Sequence, residues 1–180
     1  MEVSGIRIIV TGGLGFIGSN FINYWLLHHP NDFILNVDKV TYAANQGNIN
    51  ASLTRKNYSF LREDICNEGA ILSASKGYDV IVNFAAESHV DNSIENAGSF
   101  VRSNYFGVFS LLEAARKNDL RLHQVSTDEV FGSLPKEGGK SFKERTRYDP
   151  KNPYSATKAA ADHLVRSYIN TYGLRATISN

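Results

Sequence analysis

Cysteine is almost missing from this 180-residue sequence: Cys66 stands alone. One thiol rules out an intrachain disulfide and any metal centre built on paired cysteines. Excess charge is missing too. The 19 Lys and Arg residues face 18 Asp and Glu, the net charge is +1, and no long run of one sign occurs. That balance favours neither a nucleic acid nor an anionic membrane surface as partner. No apolar stretch reaches the ~20 residues that span a bilayer. The opening MEVSGIRIIVTGG has neither the apolar core nor the cleavage site of a signal peptide. Repeats and low-complexity segments are absent. These absences predict a cytoplasmic protein with no membrane or nucleic-acid partner and no bound metal. What is present is apolar material, 42% of residues, enough for the core of one domain.

Short β-branched runs alternate with longer helical patterns. Strands are predicted over 6–11, 33–38, 58–62, 79–84, 122–127 and 176–179, and helices over 16–29, 67–76, 99–118 and 154–172. The first and fourth strands are near-continuous apolar runs, the pattern of strands covered on both faces. The alternation predicts an α/β fold, a Rossmann-type doubly wound parallel sheet with helices on both faces. Two connections, 39–57 and 130–153, are long for a compact domain and point to functional loops.

Residues 11–18 read TGGLGFIG, between the first strand and the first helix. Glycines there permit a tight turn and let backbone approach a pyrophosphate, while the helix N-terminus offers free N–H groups to the anion. Asp38 ends the second strand, twenty residues after Gly18. Its carboxylate suits ribose hydroxyls and repels a 2′-phosphate, favouring NAD over NADP; the neighbouring cation Lys39 works against that preference. Asp64, after the third strand, is placed either at an adenine edge or in an exposed loop.

Residues 154–158 read YSATK, so Tyr154 and Lys158 share one helix face. An ammonium beside a phenol lowers its pKa and makes it a base near neutral pH. Pro153 is placed to start that helix. At the mouth of the fifth strand, Thr127, Asp128 and Glu129 form a hydroxyl and two adjacent acids. The plain reading is a solvated, capped turn; the alternative is an acid and a base for one reaction.

The segments TGGLGFIG, NVDKVTYAAN (36–45), NFAAESHVDNSI (83–94), VSTDEVFGS (125–133) and NPYSATKAAADHLVRSY (152–168) occur in this order. In that order they resemble the extended short-chain dehydrogenase/reductase superfamily, and within it the nucleotide-sugar 4,6-dehydratases of the dTDP-glucose type. The resemblance implies an NAD-dependent hydro-lyase converting dTDP-glucose to its 4-keto-6-deoxy product, with hydride leaving C4 and returning to C6. It implies that Tyr154 removes the O4 proton, that Lys158 tunes it, and that Thr127 binds the same hydroxyl. Asp128 is then the acid for the departing C6 hydroxyl and Glu129 the base for the C5 proton, with split pKa values. The implied cofactor contacts are Gly12, Gly15, Phe16, Ile17, Gly18, Asp38, Lys39, Asp64, Ile65, Ala85, Ala86, Tyr154 and Lys158, and Ser88 joins Thr127 at the sugar. Leu14 and Phe131 depart from the family's usual residues, without removing a group that the implied mechanism uses.

The resemblance further implies a homodimer through helices 99–118 and 154–172. The first of these carries apolar residues at 100, 101, 105, 106, 108, 109, 111, 112 and 115, more than one sheet-facing stripe needs. Residues 1–180 are expected to be the NAD-binding domain, with the C-terminal substrate domain of the family absent from this chain and turnover by it correspondingly small. Two alternatives stay open: a related nucleotide-sugar epimerase or decarboxylase, and a non-catalytic NAD-binding module.

Overall fold

The computed structural model describes residues 5–135 and 141–180. Six strands, β1 (Arg7–Thr11), β2 (Phe33–Asp38), β3 (Tyr58–Arg62), β4 (Val80–Asn83), β5 (Arg121–Val125) and β6 (Ala176–Ser179), form one parallel sheet in the order β3-β2-β1-β4-β5-β6. The order reverses between β1 and β4, which opens a crevice at the carboxyl ends of those strands. The helices are α1 (Phe16–His28), α2 (Asn50–Leu53), α3 (Glu68–Ala74), α4 (Val90–Glu95), α5 (Ala97–Phe100), α6 (Gly107–Lys117) and α7 (Pro153–Tyr172). A π-helical turn, Val101–Phe106, joins α5 to α6 without a break.

Strand alternation sorts the core into two layers. Ile9, Ile81 and Leu122 pack with Leu111, Leu112, Ala161 and Val165 of α6 and α7. Ile8, Val10, Ile34 and Val82 pack instead with Ile22 and Leu26 of α1. The expected doubly wound sheet is therefore present, although α1 covers only part of its face. Beyond it lies an open apolar cleft of about 540 Å³ against Trp25, Val80, Val82 and His123.

The predicted helix over 99–118 begins earlier and contains the π turn. The 39–57 connection is partly ordered, by a 3-10 turn (Gln46–Ile49) and α2. β5 stops at Val125, so Ser126 and Thr127 lie beyond it. Part of the 130–153 connection, residues 136–140, and the first four residues of the chain lie outside the described residues.

Candidate active site

A cleft of about 430 Å³ opens where β1, β2, β4 and β5 end. Its first wall is the glycine turn. Gly12 sits at φ +70, and a Cβ there would lie 2.6 Å from the Ala85 backbone nitrogen. A Cβ on Gly18 would lie 2.5 Å from the Gly12 carbonyl oxygen. Only glycine permits both the turn and the approach of α1 to it. Gly15 is the N-cap of α1 and brings no side-chain cap, which leaves first-turn N–H groups for an anion. Phe16 and Ile17 line the cleft from solvent, 81% and 61% exposed. This cradle of backbone, widened by missing side chains, fits a dinucleotide pyrophosphate.

Asp38 closes the end of β2. It is buried, and its carboxylate accepts the Leu14 N–H (3.0 Å) and the Val40 N–H (2.8 Å). The second contact draws Val40 into a left-handed conformation, φ 61. Lys39 lines the cleft, with its ammonium 3.2 Å from Glu87 Oε1 and 2.9 Å from Oγ of Ser103, which also lines it. Ile65, Ala85, Ala86 and Ser88 lie on the cleft wall. Asp64 does not: its carboxylate turns back to accept the Cys66 N–H at 2.9 Å, capping a local turn, and Glu63 takes the place on the wall.

The second wall is α7. Asn152 caps it, accepting the Ser155 N–H at 2.8 Å in a reciprocal capping box, with Pro153 in the first turn. That fixes the first turn and places Tyr154 and Lys158 on the cleft. Lys158 is 4% exposed and donates to the Val125 carbonyl at 2.7 Å. Burial pushes its pKa down to about 8, with Asp162 opposing. The expected lowering of the Tyr154 phenol is not found. Burial raises its pKa, the nearby Thr127 hydroxyl opposes this, and the charges of Glu129 and Asp128 raise it further. The Lys158 ammonium, held by the Val125 carbonyl, does not offset them.

Thr127, Asp128 and Glu129 stand at the head of a 3-10 turn, Asp128–Phe131. Thr127 Oγ1 accepts the Glu129 N–H at 3.3 Å, and Asn152 donates to Glu129 Oε2 at 3.1 Å. Asp128 is exposed and Glu129 half-buried, both close enough to act on the Tyr154 phenol. The structure thus sets the hydroxyl and both acids beside the Tyr154 phenol, which shares the cleft wall with the Lys158 ammonium.

Four supporting residues escaped the sequence reading: Ser126, Tyr148, Asn152 and Asp162. Asp162 is fully buried and accepts the Ser126 hydroxyl at 2.5 Å and the Tyr148 hydroxyl at 3.0 Å. Its position four residues after Lys158 carried the signal, as did the Asn-Pro pair before Tyr154. Nothing in sequence marks Tyr148. Under the cleft, Thr11, Asn83 and Gln124, all fully buried, link β1, β4 and β5 by side-chain hydrogen bonds of 2.5 and 2.7 Å.

The family profile described as GDP-mannose 4,6 dehydratase matches residues 9–180. The dTDP-glucose 4,6-dehydratase of Mycobacterium tuberculosis is 43% identical over 97% of this chain and 52% of its own length. That of Escherichia coli K12 is 41% identical over 97% of this chain and 54% of its own. Among solved structures, the dTDP-glucose 4,6-dehydratase DesIV of Streptomyces venezuelae, with NAD bound, superposes with a TM-score of 0.90 at 40% identity, covering 96% of this chain and 54% of that one. The UDP-glucose 4-epimerase of Thermus thermophilus, also with NAD, gives 0.84 at 29% identity over 96% and 54%. The chain spans about half the length of the curated relatives it matches.

Proposed function

Because the chain belongs to the GDP-mannose 4,6 dehydratase family, we propose that it is the dinucleotide-binding domain of an NAD-dependent nucleotide-sugar 4,6-dehydratase acting on dTDP-glucose. The observation that carries this reading is that Thr127, Asp128 and Glu129 stand beside the Tyr154 phenol, which with Lys158 lines the cleft that Gly12, Gly18 and Asp38 build. An acid pair beside the tyrosine favours elimination over simple epimerisation, which needs no such pair.

NAD, when bound, supplies a reversible acceptor for the hydride of the sugar. The chain's own groups handle protons and orientation. Thr127 holds the O4 hydroxyl while Tyr154 takes its proton, and Lys158, fixed on the Val125 carbonyl, keeps its charge on the same wall of the cleft. Glu129, oriented by Asn152, withdraws the C5 proton, and Asp128 delivers a proton to the leaving C6 hydroxyl. Ser88, exposed on the cleft wall, contacts the sugar.

The same proposal includes a cytoplasmic location and a homodimer. Val101, Phe106 and Phe109 on the α5–α6 run and Tyr172 on α7 are 40%, 55%, 37% and 56% exposed, an apolar strip that a second copy would cover. Light scattering across concentrations tests this, and a constant monomer mass would refute it.

Calorimetry of NAD binding to the chain tests the cofactor reading, with Gly18→Ala expected to abolish binding by forcing the turn open. In a polypeptide of the relatives' length given dTDP-glucose, Asp128→Asn with Glu129→Gln is expected to leave reduced cofactor accumulating and no 4-keto-6-deoxy product. Loss of the reduction step itself would overturn the roles assigned to the two acids.

A further inference from the structure

We infer that Glu87 and Ser103 set the choice between the two nicotinamide dinucleotides, by engaging the Lys39 ammonium and leaving it no free charge for a 2′-phosphate. This rests on the dinucleotide-binding reading above.

Lys39 follows Asp38 directly, where the 2′-substituent of an adenosine ribose is read. A free lysine there would welcome a 2′-phosphate and cancel the repulsion from Asp38. The structure commits this one to partners of its own, one of them, Ser103, on the cleft wall. Its Nζ is shared between Glu87 Oε1 at 3.2 Å and Ser103 Oγ at 2.9 Å. Among the described residues, Lys39 and Lys158 are the two cations lining the cleft, and Lys158 is engaged by the Val125 carbonyl. Arg62, registered with Asp38 on β3, is exposed and does not line the cleft. The Asp38 carboxylate therefore meets the ribose without a free cation at its side.

The tether is held firmly. Asn104, 1% exposed, accepts the Glu87 N–H at 2.8 Å and donates to the Glu87 carbonyl at 2.9 Å, and its amide also reaches Thr157 on α7 at 3.1 Å. Ser103 and Asn104 are neighbours in the π turn Val101–Phe106, so one local widening of the helix aims one residue at the lysine and the next at the backbone of its partner. The Glu87 backbone is anchored independently of its carboxylate, so Glu87→Gln keeps the fold and removes only the charge.

The test measures Kd for NAD and for NADP on the chain by calorimetry. The wild type is expected to prefer NAD. Glu87→Gln should raise the NADP-to-NAD affinity ratio about tenfold, the scale of one charge-assisted contact. Ser103→Ala should move it the same way by about twofold to threefold, and it carries the test if Glu87→Gln melts. Adding Lys39→Met to Glu87→Gln should return the ratio to its starting value. An unchanged ratio in both single variants overturns the inference. A rise that Lys39→Met does not reverse also overturns it, since the gain would then come from losing the Glu87 charge alone. A wild type that binds neither dinucleotide overturns the underlying reading instead.

Discussion

Asp162 has no solvent exposure, and one of its two oxygens has no hydrogen-bond partner. The other receives hydroxyls from Ser126, on the cleft wall, and Tyr148, in the long connection before α7. Burial raises the Asp162 pKa, and Lys158, one turn earlier, lowers it; reciprocally, Asp162 lifts the Lys158 pKa against burial. Arg166, one turn later on α7, adds a further positive charge near the same carboxylate. Neutralising Asp162 should therefore drive the Lys158 pKa below about 8. If the ammonium helps hold the cofactor, NAD affinity falls as pH rises through that pKa, and Asp162→Asn shifts the fall to lower pH. NAD titrations from neutral to alkaline pH would show it; an unmoved inflection would mean that the two charges are not coupled. The residues proposed to carry the chemistry stand out in the sequence because each sits at a fixed offset in a strand-turn-helix pattern. Asp64 turns one oxygen to its own backbone because an acid two residues before a free N–H competes for it, a local preference that no spacing reveals. The Tyr154 phenol was misjudged because helical spacing says that Lys158 is near it, not that a strand carbonyl holds the lysine.

At the scale of elements, the continuous run from Ala97 to Lys117 shows what periodicity conveys and what it hides. Apolar spacing announced a long helix and even a second apolar face, now seen exposed at Phe106 and Phe109. It was blind to one extra residue per turn, because a π turn shifts the faces without changing composition. Asn104 occupies that turn and ties the segment after β4 to α7. Its removal would leave the Glu87 N–H and carbonyl without their partner and Thr157 with one contact fewer. Asn104→Ala is therefore expected to cost about 2–3 kcal/mol, the penalty for stranded buried polar groups, as measured by urea unfolding. A loss under about 0.5 kcal/mol, the size of a neutral surface change, would show that water replaces the side chain. The strands tell a similar story. Their apolar runs made the buried parallel sheet legible, yet Asn36, Asn83 and Gln124 are fully buried within them. Asn83 and Gln124 are tolerated there because they meet each other and Thr11 across β1, β4 and β5, and Asn36 because it donates to the Tyr58 hydroxyl on β3, pairings fixed by strand order rather than by any single segment.

For the whole molecule, burial of titratable groups sets how stability responds to pH. His123 lies on the sheet face that α1 leaves open, its ring nitrogens 2.8 Å from Thr177 Oγ1 and 3.1 Å from Ser179 Oγ on β6. Burial lowers its pKa from the ordinary 6.5, so the unfolded chain binds a proton first. Stability from this group is present above that value and lost as pH falls below it. Glu113 acts in a separate window. Arg116 is the main cause that holds its carboxyl down to about 2 from 4.5; burial opposes this, and the Tyr168 hydroxyl and Lys117 assist. Its contribution, which clamps α6 to α7 through the Tyr168 contact at 2.8 Å, is intact above 4.5 and lost on the way down to about 2. Thermal melts on acidification should thus show two descents, a shallow one beginning near 6.5 and a steeper one below 4.5. His123→Gln should flatten the first and spare the second, and Glu113→Gln the reverse. A single descent surviving in both variants would mean that neither side chain governs the acid limit. The two windows separate because the groups bind different pairs of elements: one edge strand to its neighbour, and one helix to the next.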